Sequence, residues 1–153
     1  MIVIRVFGTP APKGSMKLVE YGKGKRRLPR PIMVADNSHE LQAWSRAVAT
    51  CARVAMIGKA MYVDTALAVR ATFILPRPAS VKRLMPSVRP DLDKLIRSTL
   101  DAMTGVVFDD DARIVRFQDP TKVYDGWMDH HGVGAIINVS PFFGPDHKEV
   151  DRG

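Results

Sequence analysis

Alternation of apolar and polar residues marks the strands of this chain. Between positions 67 and 75 every second residue is apolar, which predicts a strand with one buried face within residues 62–75. Shorter apolar runs predict further strands at residues 2–7, 32–35, 112–117 and 133–139. The buried face expected for the longest strand consists of Leu67, Val69, Ala71, Phe73 and Leu75.

Two other segments repeat apolar residues every three or four positions, the spacing of a helix with one buried face. The first helix is expected to be capped by Asn37 and to end before Gly58, with Trp44 on its apolar stripe and in the core. The second helix is expected to begin at Asp91 or at the residue after it, and to end at Gly105. Its expected buried stripe consists of Leu92, Leu95, Ile96, Leu100 and Met103.

The predicted order of elements is β-β-α-β-α-β-β, which indicates an α+β fold with a mixed sheet and two main helices packed on it. A length of 153 residues suits a single domain over residues 1–153. Residues 17–31 are basic and rich in glycine and proline, so we expect a loop or hairpin arm there. Residues 143–153 are expected to form a frayed tail.

The chain is basic, with 23 Lys and Arg residues against 16 Asp and Glu residues and a net charge of +7. Such a balance favours anionic partners, with nucleic acid first and an anionic membrane surface second. Each basic cluster could also be a solvated loop. One cluster consists of Lys23, Lys25, Arg26, Arg27 and Arg30, and the other of Arg77, Lys82, Arg83 and Arg89.

The single cysteine, Cys51, excludes an intrachain disulfide and a thiolate zinc cluster within one chain. It is also consistent with a reducing compartment. The amino end does not resemble a signal peptide, and no apolar run approaches transmembrane length. We therefore expect a cytoplasmic protein that does not bind membranes.

Acidic residues are concentrated in one part of this basic chain, since residues 89–114 contain six of the sixteen acids. Adjacent carboxylates repel one another unless water or a bound cation neutralises them. Carboxylate oxygens are the ligands that magnesium accepts alongside water and substrate phosphate. The pattern suggests a divalent metal site acting on a phosphate backbone. The acids concerned are Asp91, Asp93, Asp109, Asp110 and Asp111.

Spacing alone leaves other roles open. Asp91 could simply cap the second helix, with Asp93 as a first-turn acid. To share an ion with the later acids, the chain must return along a helix of about 21 Å. Residues 106–108, if extended, would recover roughly 10 Å, and tilt, side-chain reach or a site shared between two chains would supply the rest. Lys94 and Arg97 could orient the carboxylates, stabilise a phosphate or form helix salt bridges.

The acidic stretch resembles the RusA-type Holliday-junction resolvases, including those carried by phages and prophages. The resemblance lies in RPDLDKLIRSTLDAMTG at residues 89–105, in DDDARIV at residues 109–115, and more weakly in GTPAPKGS at residues 8–15. The order of elements agrees as well, so the resemblance covers most of the chain. It implies a magnesium-dependent endodeoxyribonuclease that acts as a homodimer and resolves four-way DNA junctions by paired symmetric nicks, in DNA recombination and repair.

Matched residue by residue, the resemblance implies that Asp91, Asp93 and Asp111 are catalytic metal ligands, and Asp110, beside the last of them, is expected to bind the metal as well. DNA is the implied partner, and its backbone would be contacted by basic residues that locate it without reading sequence. The expected contacts are Lys13, Lys17, Lys23, Lys25, Arg26, Arg27, Arg83 and Lys94.

The chain departs from the family pattern at two positions. Lys94 stands where the family often has Asn, and Arg97 stands where a catalytic Lys is expected. Arginine keeps the positive charge but cannot usefully donate a proton, and its planar fork differs from an ammonium group. Arg97 is therefore expected to contribute by stabilising charge in the transition state.

Two other functions compete with this interpretation. A nucleic-acid-binding module without catalysis would keep the basic surface but would need no converged acids. A phosphatase or glycosyltransferase could use D-x-D, but a haloacid-dehalogenase-type phosphatase needs an apolar strand before that motif, and PSVRP precedes it here. His130 and His131 indicate a turn before the last strand rather than a metal site. Packing is expected, with base stacking as the alternative, for Tyr124, Trp127, Phe142 and Phe143.

Overall fold

The described part of the chain contains seven strands, two α-helices and one short 3-10 helix. A computed structural model describes residues 1–14, 16–19, 32–35 and 38–144. The strands are β1 (Ile2–Phe7), β2 (Met16–Val19), β3 (Ile32–Ala35), β4 (Leu67–Leu75), β5 (Ile114–Phe117), β6 (Thr121–Tyr124) and β7 (Gly134–Pro141). The helices are α1 (Ser38–Ala55) and α2 (Leu92–Met103), and the 3-10 helix is Asp111–Arg113.

Five of the strands form one mixed sheet. β7 lies between β1 and β4 and is antiparallel to both. The other edge of β4 is shared, because its first residues pair in parallel with β5 and its last four pair in parallel with β6. β2 and β3 form a separate antiparallel pair. The predicted α+β fold, a mixed sheet with two helices, is confirmed.

The helices and the inner face of the sheet share one apolar core. All five residues expected on the buried face of β4 are at most 5% exposed. Trp44 is buried as predicted, and its indole Nε1 donates a hydrogen bond to Thr99 Oγ1 at 3.1 Å, which links α1 to α2. Burial of large apolar side chains is the dominant favourable term in folding, so this alternation determines which face of the sheet the helices cover.

α2 begins at Leu92, as predicted, and ends at Met103. Gly105 follows with a φ of 80°, a left-handed conformation that glycine adopts without steric cost at the end of a helix. Within the predicted stripe Leu95, Leu100 and Met103 are buried, while the other two residues are partly buried against the core. Neither helix in the described ranges could span a bilayer.

Several boundaries differ from the predictions. The strand expected at residues 112–117 begins at Ile114, because Asp110 caps a 3-10 turn over the three residues before it. The longest strand begins only at Leu67, and Tyr62 instead forms an isolated bridge with Phe108. β2 occupies the start of the expected loop at residues 17–31, and β6 was not predicted. Residues 20–31, Asn37 and residues 145–153 lie outside the described residues.

Candidate active site

Asp91 lies at the start of α2 with a carboxylate that does not cap the helix. It occupies the N-cap position with an extended backbone (φ −72°, ψ 138°), yet its side chain makes no capping hydrogen bond. An aspartate at this position usually accepts from a backbone N–H of the first turn. Instead, its Oδ2 lies 3.5 Å from the Lys94 Nζ, and its side chain is 49% exposed. Asp91 is therefore accessible to an ion from solvent.

Asp93, in the first turn of α2, is exposed as well. The salt bridge to Arg97 that the spacing allowed does not form in the described part of the chain, and Arg97 is itself exposed. The positive end of the helix dipole favours carboxylates in this first turn. The start of α2 thus presents two acids and a guanidinium group to solvent.

A cavity of about 670 Å³ opens beside Asp91. Its walls come from residues 8–14, from the first turns of α1 and from the segment that leads into α2. The charged side chains of its lining include Lys13, Arg89 and Lys94, together with the acid Glu40. Ligand sites commonly have volumes of roughly 300–1,000 Å³, and the cations here favour an anionic group such as phosphate.

Residues 8–14 are held against α2 by specific bonds. The buried Ser98 hydroxyl donates to the Ala11 carbonyl at 2.7 Å, and the Lys13 backbone N–H donates to the Lys94 carbonyl at 3.1 Å. The Lys13 ammonium pairs with Asp101 at 2.8 Å. Lys13 therefore lines the cavity with a charge that Asp101 already partly balances. Ser98 was missed from sequence, because a serine on a helix gives no sign of a buried partner 87 residues away.

The second acidic segment uses two of its three carboxylates within the fold. Asp109 accepts two hydrogen bonds from Arg113, from Nε at 2.9 Å and from Nη2 at 2.8 Å. Arg113 also donates to Asp64 at 3.2 Å. The Arg113 guanidinium lowers the pKa of Asp109, and Asp109 in turn raises the pKa of Arg113. Asp110 accepts from the Ala112 backbone N–H at 2.8 Å and so caps the 3-10 helix.

Asp111 is the acid of this segment that remains uncommitted. It is exposed at the first position of the 3-10 helix, and in the described part of the chain its carboxylate forms no ion pair or hydrogen bond. An extended chain would have pointed Asp109 and Asp111 the same way, but the 3-10 turn separates their environments. Asp111 is therefore the acid of the triplet best placed to bind an external ligand.

The two acidic segments lie toward opposite ends of β4. Lys122 pairs with Phe73 and reaches the Pro90 carbonyl, which places the residue before Asp91 near the end of β4. Ile114, directly after the 3-10 helix, pairs with Leu67 at the start of β4. These two positions on β4 are six residues apart (67 to 73), or about 20 Å at about 3.3 Å per residue.

Residues 106–108 are not the extended segment that would have carried the chain back along α2. The backbone N–H groups of Val106 and Val107 both donate to the Met103 carbonyl, so the chain turns tightly where α2 ends. Across the described ranges, no three His, Cys, Asp or Glu side chains are grouped so that they could hold a metal ion. One chain therefore does not bring Asp91 and Asp93 together with Asp111.

The expected DNA contacts are only partly described. Arg83 is exposed in the loop between β4 and α2, and Lys94 lines the cavity beside Asp91. Lys17 belongs to β2, although its side chain lies outside the described part. Lys13 lines the same cavity, and the other four, Lys23, Lys25, Arg26 and Arg27, lie outside the described residues.

The paired histidines belong to the turn before β7, as the sequence indicated. The His130 ring packs against Trp127 with a centroid distance of 5.7 Å, and its Nδ1 lies 3.2 Å from the Trp127 carbonyl. The His131 carbonyl accepts a hydrogen bond from Arg5. Among the aromatic residues, Tyr124 is buried, in agreement with a packing role.

Comparison with known proteins places these features in a family. The model of the endodeoxyribonuclease RusA family matches residues 8–128, which include the β1–β2 loop, α2 and both acidic segments. No curated protein matches the chain. The matched region covers well over half of the 153 residues. The chain belongs to the RusA family of endodeoxyribonucleases, enzymes that bind and resolve Holliday junctions.

Proposed function

We propose that this chain acts as a cytoplasmic homodimer that cuts four-way DNA junctions by paired symmetric nicks, in a magnesium-dependent reaction that serves recombination and repair. The observation that carries the proposal is the exposed carboxylate of Asp91, which caps no backbone N–H at the positive end of α2 and lies beside a cavity lined by Lys13, Arg89 and Lys94. Its partner in the described part of the chain is the Lys94 ammonium at 3.5 Å, a looser contact than the bonds that hold Asp109 and Asp110.

The available side chains fit a hard divalent cation. Asp91, Asp93 and Asp111 offer only oxygen ligands, and all three are exposed. Magnesium commonly takes one or two carboxylates and completes its octahedral shell with waters and substrate phosphate. When bound, it would lower the pKa of an attacking water and neutralise charge on the phosphate. A carboxylate pair at the start of α2 with a third from elsewhere suits that preference.

The basic residues around the cavity would hold the DNA strand. Lys94 and Arg89 lie beside Asp91 and are placed to bind a phosphate oxygen, which positions the backbone without reading its sequence. Arg97 is exposed on the same helix and would stabilise negative charge that develops during attack. Because arginine stays protonated, this role requires no proton transfer from Arg97.

The two acidic segments lie near positions of β4 that are about 20 Å apart, which suggests that two subunits form each site. Asp91 and Asp93 of one subunit would be joined by Asp111 of the other. A two-fold symmetric dimer contains two such composite sites, because each contact occurs twice. Two equivalent sites related by a two-fold axis would nick two strands of a four-way junction symmetrically.

The function is tested with a synthetic four-way junction and purified protein, with and without magnesium. We expect paired nicks only with magnesium. Asp93→Asn should lower the rate at least about 100-fold, since several kcal/mol of charge stabilisation are lost and about 1.4 kcal/mol corresponds to tenfold. Asp119→Asn is the matched control, because Asp119 is an exposed aspartate whose nearest cation is Arg70 at 3.5 Å.

Each alternative has its own outcome. Tight junction binding that Asp93→Asn leaves unchanged, with no cleavage by the wild type in any divalent metal, would favour a binding module. Cleavage of linear duplex at the same rate as the junction would indicate a general nuclease.

A further inference from the structure

Lys122 reaches from β6 to the backbone just before Asp91. Its Nζ donates to the carbonyl oxygens of Val88 at 2.6 Å and of Pro90 at 2.8 Å. The backbone of Lys122 is itself fixed, because β6 pairs with β4 and places Lys122 opposite Phe73. A strand of the main sheet is thereby joined to the segment that leads into α2.

One of the two bonds acts on the peptide group that precedes Asp91, and the other holds the Val88 carbonyl two peptide groups earlier. The Pro90 carbonyl belongs to that group, and because a peptide group is planar, fixing its oxygen fixes the plane from which the Asp91 Cα departs. The peptide group after Asp91 is fixed as well, since the Asp91 carbonyl accepts from the Leu95 N–H at 3.1 Å. With both planes held, the direction of the Asp91 Cα–Cβ bond is set.

The ammonium group of Lys122 suits this task. It carries three donors, and charge-assisted bonds to carbonyls are shorter and stronger than neutral ones. No carboxylate pairs with Lys122 in the described part of the chain, so its charge serves the two carbonyls. Asp91 lacks a capping bond, and its side chain has only the 3.5 Å contact with Lys94 in the described part of the chain, so its orientation depends on the backbone.

We propose that Lys122 is a positioning residue for Asp91, and that it keeps this carboxylate aimed at the cation site. The inference rests on the proposed function of Asp91 as a metal ligand. Residues that orient a ligand without touching the metal typically contribute about 10–100-fold to metal affinity or activity. Lys122 would act in this way through the backbone and would not contact the substrate.

The test compares Lys122→Met with Lys59→Met. Methionine keeps an unbranched apolar stem but removes the donors. Lys59 is a matched control, because its Nζ also donates to a carbonyl, that of Ala55 at 3.2 Å, at the far end of α1. The readout is the dissociation constant for Mn²⁺, measured by calorimetry without DNA, together with the midpoint of thermal unfolding and junction affinity without divalent metal.

We expect Lys122→Met to raise the Mn²⁺ dissociation constant about tenfold or more while Lys59→Met leaves it unchanged. Junction affinity without metal should match the wild type in both variants. Unchanged Mn²⁺ affinity in folded Lys122→Met would overturn the proposal. The proposal would also be overturned if Lys122→Met bound the junction more weakly and its affinity depended less steeply on salt, with a slope smaller by about one. That result would identify Lys122 as a contact to a DNA phosphate.

A second variant covers the case in which Lys122→Met does not fold. Lys122→Arg keeps the charge and several donors, but its larger, planar guanidinium places those donors differently from a compact ammonium group and should displace the two carbonyls. We expect weaker Mn²⁺ binding than in the wild type, and wild-type affinity would contradict the proposal. A wild type that binds no Mn²⁺ and cuts no junction would instead overturn the proposed function itself.

Discussion

At the scale of single residues, the acids of this chain differ in what already binds them. Asp109 is held by Arg113 and Asp110 caps the 3-10 helix, so their roles are accounted for within the fold. Asp91 is the N-cap of α2 yet its carboxylate accepts no capping bond, and Asp111, the first residue within the 3-10 helix, makes no side-chain bond in the described part of the chain. The difference separates structural acids from candidate ligands without reference to any bound ion.

Asp91→Asn should therefore separate activity from stability. Asparagine is as good an N-cap as aspartate, and no capping bond is lost, so the free energy of unfolding should change by less than about 0.5 kcal/mol. Junction cleavage should fall about 100-fold or more, because a ligand charge is lost. Urea unfolding and cleavage assays on the same preparation measure the two effects.

Asp110→Ala is the converse variant. Loss of the bond to the Ala112 N–H should cost about 1 kcal/mol of stability. If Asp91→Asn lowered the free energy of unfolding and the cleavage rate together, Asp91 would be a structural residue. That outcome would contradict its assignment as a metal ligand.

The Asp109–Arg113 pair should make stability depend on acidic pH. In the folded state the Arg113 guanidinium lowers the pKa of Asp109 from its ordinary value of 3.8. The stability that the pair contributes is therefore fully present above pH 3.8, and it is lost as the pH falls through the lower pKa of the folded state. We expect wild type to exceed Asp109→Asn in free energy of unfolding at neutral pH, with the difference shrinking as the pH falls below 3.8. An equal difference at neutral and at acidic pH would contradict this pairing.

Residue roles could be predicted from sequence only where the signal is local. The D-x-D after proline and the triplet of acids identified Asp91, Asp93 and Asp111 as candidates, and Arg113 is four residues from Asp109, a spacing that sequence can detect. Lys122 could not be found, because its carbonyl partners lie 32 and 34 residues earlier in the chain.

At the scale of elements, the long periodic segments were predicted well and the short ones were not. β4 and α2 carry their periodicity over nine and twelve residues, enough to define a buried face. β2 and β6 have four residues each, too few to show a period. β6 forms because β5 pairs only with the first residues of β4, which leaves residues 72–75 of that edge available to a second strand. The 3-10 turn depends on one cap, which the run of three acids did not reveal.

Gly134 is an element-scale requirement that can be tested directly. It pairs with Phe7 and Ile74 with a φ of 155°, and a Cβ there would lie 1.8 Å from the Val6 carbonyl oxygen. Gly134→Ala should destabilise the fold by about 3 kcal/mol or more, because β1 must move away from β7.

Gly58→Ala is the control, since Gly58 also has positive φ (74°) but open space around its Cβ position. Gly58→Ala should therefore lose only the stability that a positive φ costs a residue with a Cβ, about 1–2 kcal/mol. Equal losses for the two variants, measured by urea unfolding, would show that β1 and β7 do not approach so closely.

At the scale of the whole molecule, acids are gathered within a chain of net charge +7, and one chain keeps its two acidic segments near positions of β4 that are about 20 Å apart. The charge contrast and the family could be inferred from sequence. The separation could not, because it depends on where β5 and β6 pair along β4 and on the tight turn after α2. A shared site between two subunits reconciles the separation with one metal centre.

Mixed dimers test this most directly. Asp91→Asn and Asp111→Asn subunits carrying different tags are co-expressed, and the doubly tagged heterodimer is isolated beside each homodimer. If sites are shared, one composite site of the heterodimer holds both substitutions and the other is intact, so nicking of a four-way junction should return to about half of the wild-type level while both homodimers stay inactive. A heterodimer as inactive as the homodimers, beside an active wild type, would contradict the shared site.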